Sequence, residues 1–236
     1  MINKFLTFTA GDDYHSAGER IISEAKSTNW FKYHTHETPV TAENKFNSVW
    51  SKHKAFFESN ERGYGYWLWK PIIILENLLR MNQDATLLYA DAGCMLNDTE
   101  DKRREINLAK DMLDDQEFII TGWANPRIQY VKRDLLFKFN IKEKPTGRQR
   151  AATSVMIKNN PMSIKFLKEW IQIGTMNGYH YISDAPSVQS EYPEFIEHRH
   201  DQSILDLLCD KYQIQNKIQT QAFIGYTRKT PRWKPK

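Results

Sequence analysis

Short apolar runs alternate along the chain with segments whose apolar residues recur at helical spacing. Continuous or alternating apolar runs predict strands at residues 4–10, 30–38, 85–91, 117–123 and 151–160. Helical spacing predicts helices at residues 17–27, 41–59, 70–82, 101–115, 132–140 and 161–174. Because strands and helices alternate, we predict one α/β domain with a mainly parallel central sheet flanked by helices.

Composition supports a single folded domain and gives little indication of nucleic acid binding. The chain has 236 residues, of which 40% are hydrophobic and 26% charged, enough to bury a substantial core. The net charge is +4, but Lys and Arg are spread along the chain, so we expect no nucleic acid partner. Cys94 and Cys209 are far apart and are expected to be small core residues rather than metal ligands.

The chain has no apolar run of the roughly 18 residues that a membrane-spanning helix needs, and its first residues lack a secretory pattern. We therefore expect a soluble, cytoplasmic protein. Residues 227–236 (TRKTPRWKPK) are rich in Lys and Arg and form a basic tail after a domain at residues 1–226. The tail predicts a peripheral contact with anionic lipid at the inner face of the cytoplasmic membrane, and a solvated tail is the alternative.

An aspartate is the last residue of the strand predicted at residues 85–91. Residues 87–97 read LLYADAGCMLN, so the apolar run ends at Asp91 and is interrupted by Gly93. In open α/β sheets, ligands bind outside the carboxyl ends of the strands, which is where Asp91 is expected. Asp91 is therefore a candidate ligand-binding carboxylate, although it could simply close a turn or cap the next helix.

Residues 63–71 (GYGYWLWKP) interleave Tyr and Trp with glycine. Tyr66 and Trp67 combine large rings with polar atoms, and neighbouring glycines allow a backbone to approach a ligand closely. A stacking site for a sugar or a base is one interpretation, and core packing is the other. Lys70 adds a candidate cation for a phosphate, or a solvated surface charge.

Two further segments concentrate polar residues next to predicted elements. Arg148, Gln149 and Arg150 stand immediately before a strand. A second group stands immediately before the apolar pattern of a helix that contains Ile204, and it comprises His198, His200, Asp201 and Gln202. Asp201 could instead be only an N-cap, and His200 only a surface residue.

Four segments, taken in order, resemble a family of bacterial glycosyltransferases found in capsule and O-antigen (lipopolysaccharide) gene clusters. They are residues 63–75 (GYGYWLWKPIIIL), 87–97 (LLYADAGCMLN), 148–161 (RQRAATSVMIKNNP) and 195–208 (FIEHRHDQSILDLL). The resemblance implies a GT-A-like, Rossmann-like fold, in which an Asp-x-Asp triplet holds a divalent cation against a nucleotide diphosphate. The matching triplet here is Asp91-Ala92-Gly93, so Asp91 is the implied ligand of Mn²⁺ or Mg²⁺, and Gly93 replaces the second carboxylate.

The segment HDQ at residues 200–202 resembles one that, in several such families, supplies an Asp facing the acceptor or the reacting centre. We therefore expect Asp201, with His200, to be catalytic, and Gln202 and His198 to lie on the acceptor side. From their residue types, we expect the donor to be bound by Asp91, Gly93, Tyr66, Trp67, Lys70, Arg148 and Arg150. Glycosyl transfer needs such groups because negative charge develops on the leaving diphosphate and a carboxylate can take the acceptor proton.

The expected function is therefore transfer of a sugar (a hexosyl group) from a nucleotide-diphospho sugar, with UDP as the first choice, to a growing surface polysaccharide or a lipid-linked glycan. A non-catalytic carbohydrate-binding or scaffold protein with the same fold is an alternative. A nucleotidyltransferase is less favoured, because the segment TAGDDYHS after the first strand is acidic and has one glycine instead of a Gly-rich basic loop.

Overall fold

The computed structural model of the chain describes residues 1–115, 118–215 and 217–226. The predicted basic tail at residues 227–236 lies outside these ranges. Within them, no helix is both long and apolar enough to cross a membrane.

Strands and helices alternate from the first residues onward, close to the predicted positions. The strands are β1 (Ile2–Phe8), β2 (Phe31–Glu37), β3 (Thr86–Ala90), β4 (Cys94–Met95), β5 (Ile119–Pro126), β6 (Arg148–Lys158) and β7 (Gly225–Tyr226). The helices are α1 (Asp12–Thr28), α2 (Pro39–Ser59), α3 (Gly63–Tyr66), α4 (Trp69–Leu78), α5 (Glu100–Asp115), α6 (Arg127–Tyr130), α7 (Arg133–Lys138), α8 (Pro161–Tyr179) and α9 (His200–Lys211). A short 3-10 helix follows at Thr220–Ala222.

Five strands form the central sheet in the order β2-β1-β3-β6-β5. Strands β2, β1 and β3 are parallel, whereas β6 is antiparallel to both β3 and β5. Of the five strands described in this sheet, β6 alone therefore runs in the reverse direction. The predicted α/β class, with a mainly parallel sheet flanked by helices, is confirmed.

Each face of the sheet is covered by its own apolar cluster. On one face, Leu87 and Tyr89 of β3 belong to the cluster that includes residues of α2, α4, α8 and α9. On the other, Leu88 and Ala90 belong to the cluster that includes residues of α1 and α5. Side chains on a strand alternate between faces, so β3 is buried on both sides and its last residue leads directly to the sheet's carboxyl edge. Cys94 and Cys209 are both buried in the core, as expected.

Two predicted boundaries and one additional element differ from the prediction in ways that affect the site. Arg148, Gln149 and Arg150 lie inside β6, not before it. His200, Asp201 and Gln202 form the first turn of α9, not the segment before it. A two-stranded ribbon of β4 and β7, absent from the prediction, joins the residues after β3 to the end of the described chain.

Candidate functional site

Two carboxylates and one ammonium meet where β3 ends. Lys70 Nζ lies 3.2 Å from Asp91 Oδ1 and 3.0 Å from Asp201 Oδ2. It also donates a hydrogen bond of 3.1 Å to the carbonyl oxygen of Ala152 on β6. The Lys70 side chain is 3% exposed and that of Asp201 6%, whereas 31% of the Asp91 side chain is exposed. Asp91 is therefore the member of this cluster that faces solvent.

Local structure accounts for this meeting. Tyr89 and Asp91 are two residues apart on the β3 segment, so both side chains point to the face covered by α4 and α9. The Tyr89 hydroxyl donates to Asp91 Oδ1 at 2.5 Å. Lys70 lies in the first turn of α4 and Asp201 in the first turn of α9. The alternatives of a solvated Lys70 and an N-capping Asp201 are wrong, because Lys70 is buried and the N-cap of α9 is Arg199.

Burial and neighbouring charges decide the protonation of the cluster. Burial raises the pKa of Asp201 to about 6, while the Lys70 charge opposes that rise. Burial would lower the pKa of Lys70, but the charges of Asp201 and Asp91 outweigh it and hold that pKa above its ordinary value. Burial, followed by the Asp91 charge, holds the pKa of Tyr89 well above its ordinary value. At neutral pH the tyrosine is a hydrogen-bond donor, and the ammonium compensates one of the two carboxylates.

The predicted aromatic segment adopts an uncommon backbone. Gly63, Tyr64, Gly65, Tyr66 and Trp67 all have positive φ, between 49° and 82°, and form one left-handed turn before α4. Such a conformation costs about 1–2 kcal/mol for each residue other than glycine. Strain of this kind often accompanies functional sites.

The aromatic rings of this segment divide between core and surface. Trp69 is buried and stacks on Phe8 with ring centroids 4.1 Å apart, as the core alternative expected. Tyr66 and Trp67 remain partly exposed and pack against the His200 ring at 4.8 and 5.6 Å. The stacking surface predicted from Tyr66 and Trp67 therefore lies beside the first turn of α9.

The two histidines of this region are buried and bonded to backbone. The His200 side chain is 2% exposed, so the surface alternative is wrong, and its Nδ1 lies 2.8 Å from the carbonyl oxygen of Ile182. Burial lowers the pKa of His200 to about 3, with the Arg62 charge as the next contribution, and burial also holds the pKa of His198 well below its ordinary value. His198 Nε2 is 2.9 Å from the carbonyl oxygen of Tyr181. Both rings are neutral at pH 7, and because a carbonyl only accepts, His200 Nδ1 carries the hydrogen.

The remaining predicted residues lie along β6 and α9. Gln202 donates to Gln149 at 2.7 Å, which places it between the two elements. Arg150 donates to Asp210 at 2.9 Å and lies 4.6 Å above the Trp123 ring. Arg148 donates to the carbonyl oxygen of Ala124 at 2.6 Å.

The structure does not bring the two arginines to the Asp91 cluster. Thr153 is level with Asp91, since the Asp91 amide donates to its carbonyl at 2.9 Å. Arg148 is five residues from Thr153, about 17 Å along an extended strand. Arg150 is tied to α9. The donor-binding roles of Arg148 and Arg150 stay predictions.

Asp91 is the residue predicted to hold a divalent cation at this edge. Both contacts of the Asp91 carboxylate described above are made by Oδ1, and the side chain remains partly exposed. No group of three His, Cys, Asp or Glu side chains that could hold a metal occurs in the described ranges. Mg²⁺ is commonly held by one or two carboxylates together with substrate phosphates. Asp91 fits such a shared site, with donor oxygens as the further ligands.

No protein-family model matches the sequence, and a search of curated proteins finds no match. Among solved structures, the fold is similar to mouse xyloside xylosyltransferase 1 in its apo form, with 11% identity and a TM-score of 0.48; the match covers 90% of this chain and 83% of that one.

Two further structures show weaker similarity. A glycosyltransferase involved in the glycosylation of the major capsid of PBCV-1 has 10% identity and a TM-score of 0.44, with coverage of 84% and 81%. The galactosyltransferase LgtC, in complex with donor and acceptor sugar analogs, has 12% identity and a TM-score of 0.40, with coverage of 87% and 70%. With TM-scores below 0.5, these similarities carry no argument about activity, which has to come from the site.

Three residues of the site are missing from the sequence-based set. Tyr89 orients Asp91, and the period of two along β3 was the signal that could have identified it. Arg20 and Glu24 of α1 bind the segment after Asp91 through the carbonyl oxygens of Ala92 and Cys94 and the amide of Leu96. In the sequence these two residues look like the ordinary polar face of a helix.

Proposed function

We propose that this chain is a glycosyltransferase that uses a nucleotide-diphospho sugar, with UDP as the first choice of nucleotide. The observation that carries the proposal is the partly exposed Asp91 carboxylate at the carboxyl edge of β3, oriented by the buried Lys70 ammonium and the Tyr89 hydroxyl. Ligands of open α/β sheets bind at this edge. A carboxylate fixed on one oxygen keeps the other for a ligand.

The proposed chemistry separates the roles of the residues. When bound, a divalent cation such as Mn²⁺ or Mg²⁺ would stabilise the negative charge of the leaving diphosphate. Asp91 would hold that cation, and Tyr66 and Trp67 offer partly exposed rings for a sugar or a base. Lys70 is buried, so in this proposal it acts on Asp91 rather than on a phosphate.

Asp201 contacts the Lys70 ammonium and is far less exposed than Asp91, with 6% of its side chain exposed against 31%. In our proposal it keeps the ammonium charged and in position, and it acts on the reaction through Lys70 and Asp91. A direct catalytic role of Asp201 or His200, and acceptor contacts of Gln202 and His198, stay predictions from the sequence.

The acceptor in this proposal is a sugar hydroxyl of a growing surface polysaccharide or lipid-linked glycan of the capsule or O-antigen type, reached at the membrane through the basic tail. Support for this finer part comes only from the sequence resemblance and from the composition of residues 227–236. A non-catalytic sugar-binding protein is the second candidate. The single carboxylate beside Gly93 favours it, because a transferase of the resembled family would hold its cation with two.

Asp91→Asn tests the proposal and separates the two candidates. We expect turnover of nucleotide sugar, by hydrolysis or transfer, to fall by about 10² to 10⁴-fold, because the variant loses the charge that holds a cation worth several kcal/mol to the transition state. The fold should survive, since Asp91 is partly exposed. Donor binding is measured by calorimetry across UDP-, GDP-, CMP- and dTDP-sugars, with and without EDTA, and turnover is measured with the donor that binds.

Asp84→Asn is the matched control, because Asp84 is an exposed aspartate just before the opposite end of β3. It should leave turnover unchanged. Wild-type turnover in Asp91→Asn would contradict the proposed role of Asp91. Donor binding without any turnover in the wild-type protein would favour the sugar-binding candidate.

A further inference from the structure

The segment that follows Asp91 is held from the opposite face of the sheet by two residues of α1. Arg20 Nη2 donates to the carbonyl oxygens of Ala92 and Cys94, at 2.7 and 2.8 Å. Arg20 Nη1 donates to Glu24 Oε1 at 2.5 Å, and Glu24 Oε2 accepts from the amide of Leu96 at 2.8 Å. One ion pair on one helix therefore binds three backbone groups within five residues of the segment.

These contacts complement those on Asp91 itself. The Cys94 amide donates to the Asp91 carbonyl at 2.9 Å and closes a tight turn around Ala92 and Gly93. The side chain of Asp91 is fixed by Lys70 and Tyr89 on one face, and its backbone continues into a turn fixed by Arg20 and Glu24 on the other. Charge-assisted bonds to two carbonyls give a guanidinium more hold on the backbone than neutral bonds would.

Because residue 93 is a glycine, the contacts of Arg20 and Glu24 with the backbone of residues 92–96 are important for the proposed reaction. A second carboxylate at that position would let a bound cation fix the turn, and here the turn has no such ligand. A misplacement of about 1 Å in a catalytic group can lower the rate by about 10²-fold. The backbone near Asp91 must therefore be ordered by the protein before the donor arrives.

We propose that Arg20 and Glu24 are positioning residues of the donor site, which hold the turn at residues 91–96 so that Asp91 meets the nucleotide-diphospho sugar in a fixed orientation. This inference rests on the proposed function. Neither residue needs to touch the donor, because each acts through the backbone of the turn.

The variants are Arg20→Gln, Arg20→Lys and Glu24→Gln, with Arg80→Gln as a matched control. Arg80 also pairs with a glutamate four residues away, Glu76, and also donates to a backbone carbonyl of another element, that of Lys45. It lies two residues past the end of α4, away from the turn. Both arginines thus combine an ion pair with a glutamate and a bond to a carbonyl of another element, at different places in the fold.

Hydrogen exchange measured by mass spectrometry on the full chain gives a result that needs no activity. We expect peptides covering residues 92–97 to exchange at least about 10-fold faster in Arg20→Gln and Glu24→Gln. Arg20→Gln removes the guanidinium that holds the carbonyls of Ala92 and Cys94. Glu24→Gln leaves one side-chain oxygen where Arg20 and the Leu96 amide now use two. Arg80→Gln should leave these peptides unchanged. Unchanged exchange in both α1 variants would overturn the proposal.

Donor kinetics then test positioning against mere stability. Arg20→Gln should lower kcat/KM for the donor by about 10 to 100-fold at temperatures where the protein is fully folded. Arg20→Lys, which retains a charge and can reach a carbonyl, should recover part of the loss. Unchanged kinetics with faster exchange would show a purely structural clamp and contradict the positioning role. If the wild-type protein binds no nucleotide sugar, the proposed function fails. The exchange measurement needs no donor, so it still shows whether Arg20 and Glu24 hold the turn at residues 91–96.

Discussion

Asp91 and Asp201 contact the same ammonium and differ in their access to solvent. The exposed fraction of the side chain is 31% for Asp91 and 6% for Asp201. A buried ion pair is stabilising only where geometry compensates the loss of hydration. Lys70 has three acceptors within 3.2 Å, from Asp91, Asp201 and Ala152. Asp201 therefore contributes to the order of the site at some expense in stability.

The burial of the Asp201 carboxylate predicts a specific pH dependence for the stability of Asp201→Asn. The pKa of Asp201 is raised from 3.8 to about 6 by burial, so the folded state binds this proton more tightly than the unfolded state. Protonated Asp201 therefore stabilises the folded state fully below about pH 4. This stabilisation, about 3 kcal/mol, is lost as the pH rises through about 6. The Asn variant lacks this proton, so its free energy of unfolding relative to wild type should rise by that amount between pH 4 and pH 7. Urea unfolding at several pH values measures it, and a difference that does not vary with pH would contradict the assignment.

Sequence reasoning identified the residue types of the site and missed their exposure. Asp91, Lys70 and Asp201 were all selected, and they do converge. The burial of Lys70 could not be predicted, because it depends on α9, which comes some 130 residues later in the chain. Arg20 could not be distinguished from other charged residues of α1, since its partners are backbone carbonyls and those leave no sequence pattern.

At the scale of elements, apolar periodicity predicted the five sheet strands and most helices. The direction of β6 could not be obtained in this way, because a buried strand has the same pattern in either direction. The left-handed turn at residues 63–67 could not be predicted from apolar periodicity either. In it, Tyr64, Tyr66 and Trp67 adopt φ values that favour glycine. Its glycines were the signal, and they were interpreted as sites of close approach.

Gly65 gives a test of that turn. Its φ is +82°, and an added Cβ would lie 2.9 Å from Phe57 Cα and 2.6 Å from its ring. Gly178 has a similar φ of +64° but open space around it. Gly178→Ala should lower the free energy of unfolding by about 1–2 kcal/mol from backbone strain alone. Gly65→Ala should lower the free energy of unfolding by about 1–3 kcal/mol more than Gly178→Ala, because of the clash with Phe57. It should also disturb the backbone that leads from residue 65 into α4 and Lys70.

Urea unfolding of the two alanine variants measures the difference, with near-ultraviolet circular dichroism to follow the Trp and Tyr environments. Equal losses in the two variants would show that Phe57 moves aside without cost and that the turn is not tightly packed there. A loss confined to Gly178→Ala would contradict the packing described around residues 63–67.

At the scale of the molecule, the reversed strand and the late helix are joined by a buried charge network. Asp206 of α9 accepts from Arg127 at 2.7 and 2.9 Å and from the Arg150 amide at 2.8 Å. Asp210, one turn later, pairs with Arg127 at 2.6 Å and with Arg150 at 2.9 Å. The network attaches α9, and with it Asp201, to the β5–β6 half of the sheet.

Asp206 and Asp210 share these partners and differ in burial, with side-chain exposures of 0% and 40%. Asp206→Asn places an amide opposite the donors of Arg127 and leaves the guanidinium short of a buried counter-charge, so the free energy of unfolding should fall by about 3–5 kcal/mol. Asp210→Asn removes partly exposed pairs and should cost about 1 kcal/mol or less. Urea unfolding followed by circular dichroism compares both variants with wild type. Equal effects would mean that the burial of Asp206 adds nothing to its ion pairs and would contradict the structural role of this network.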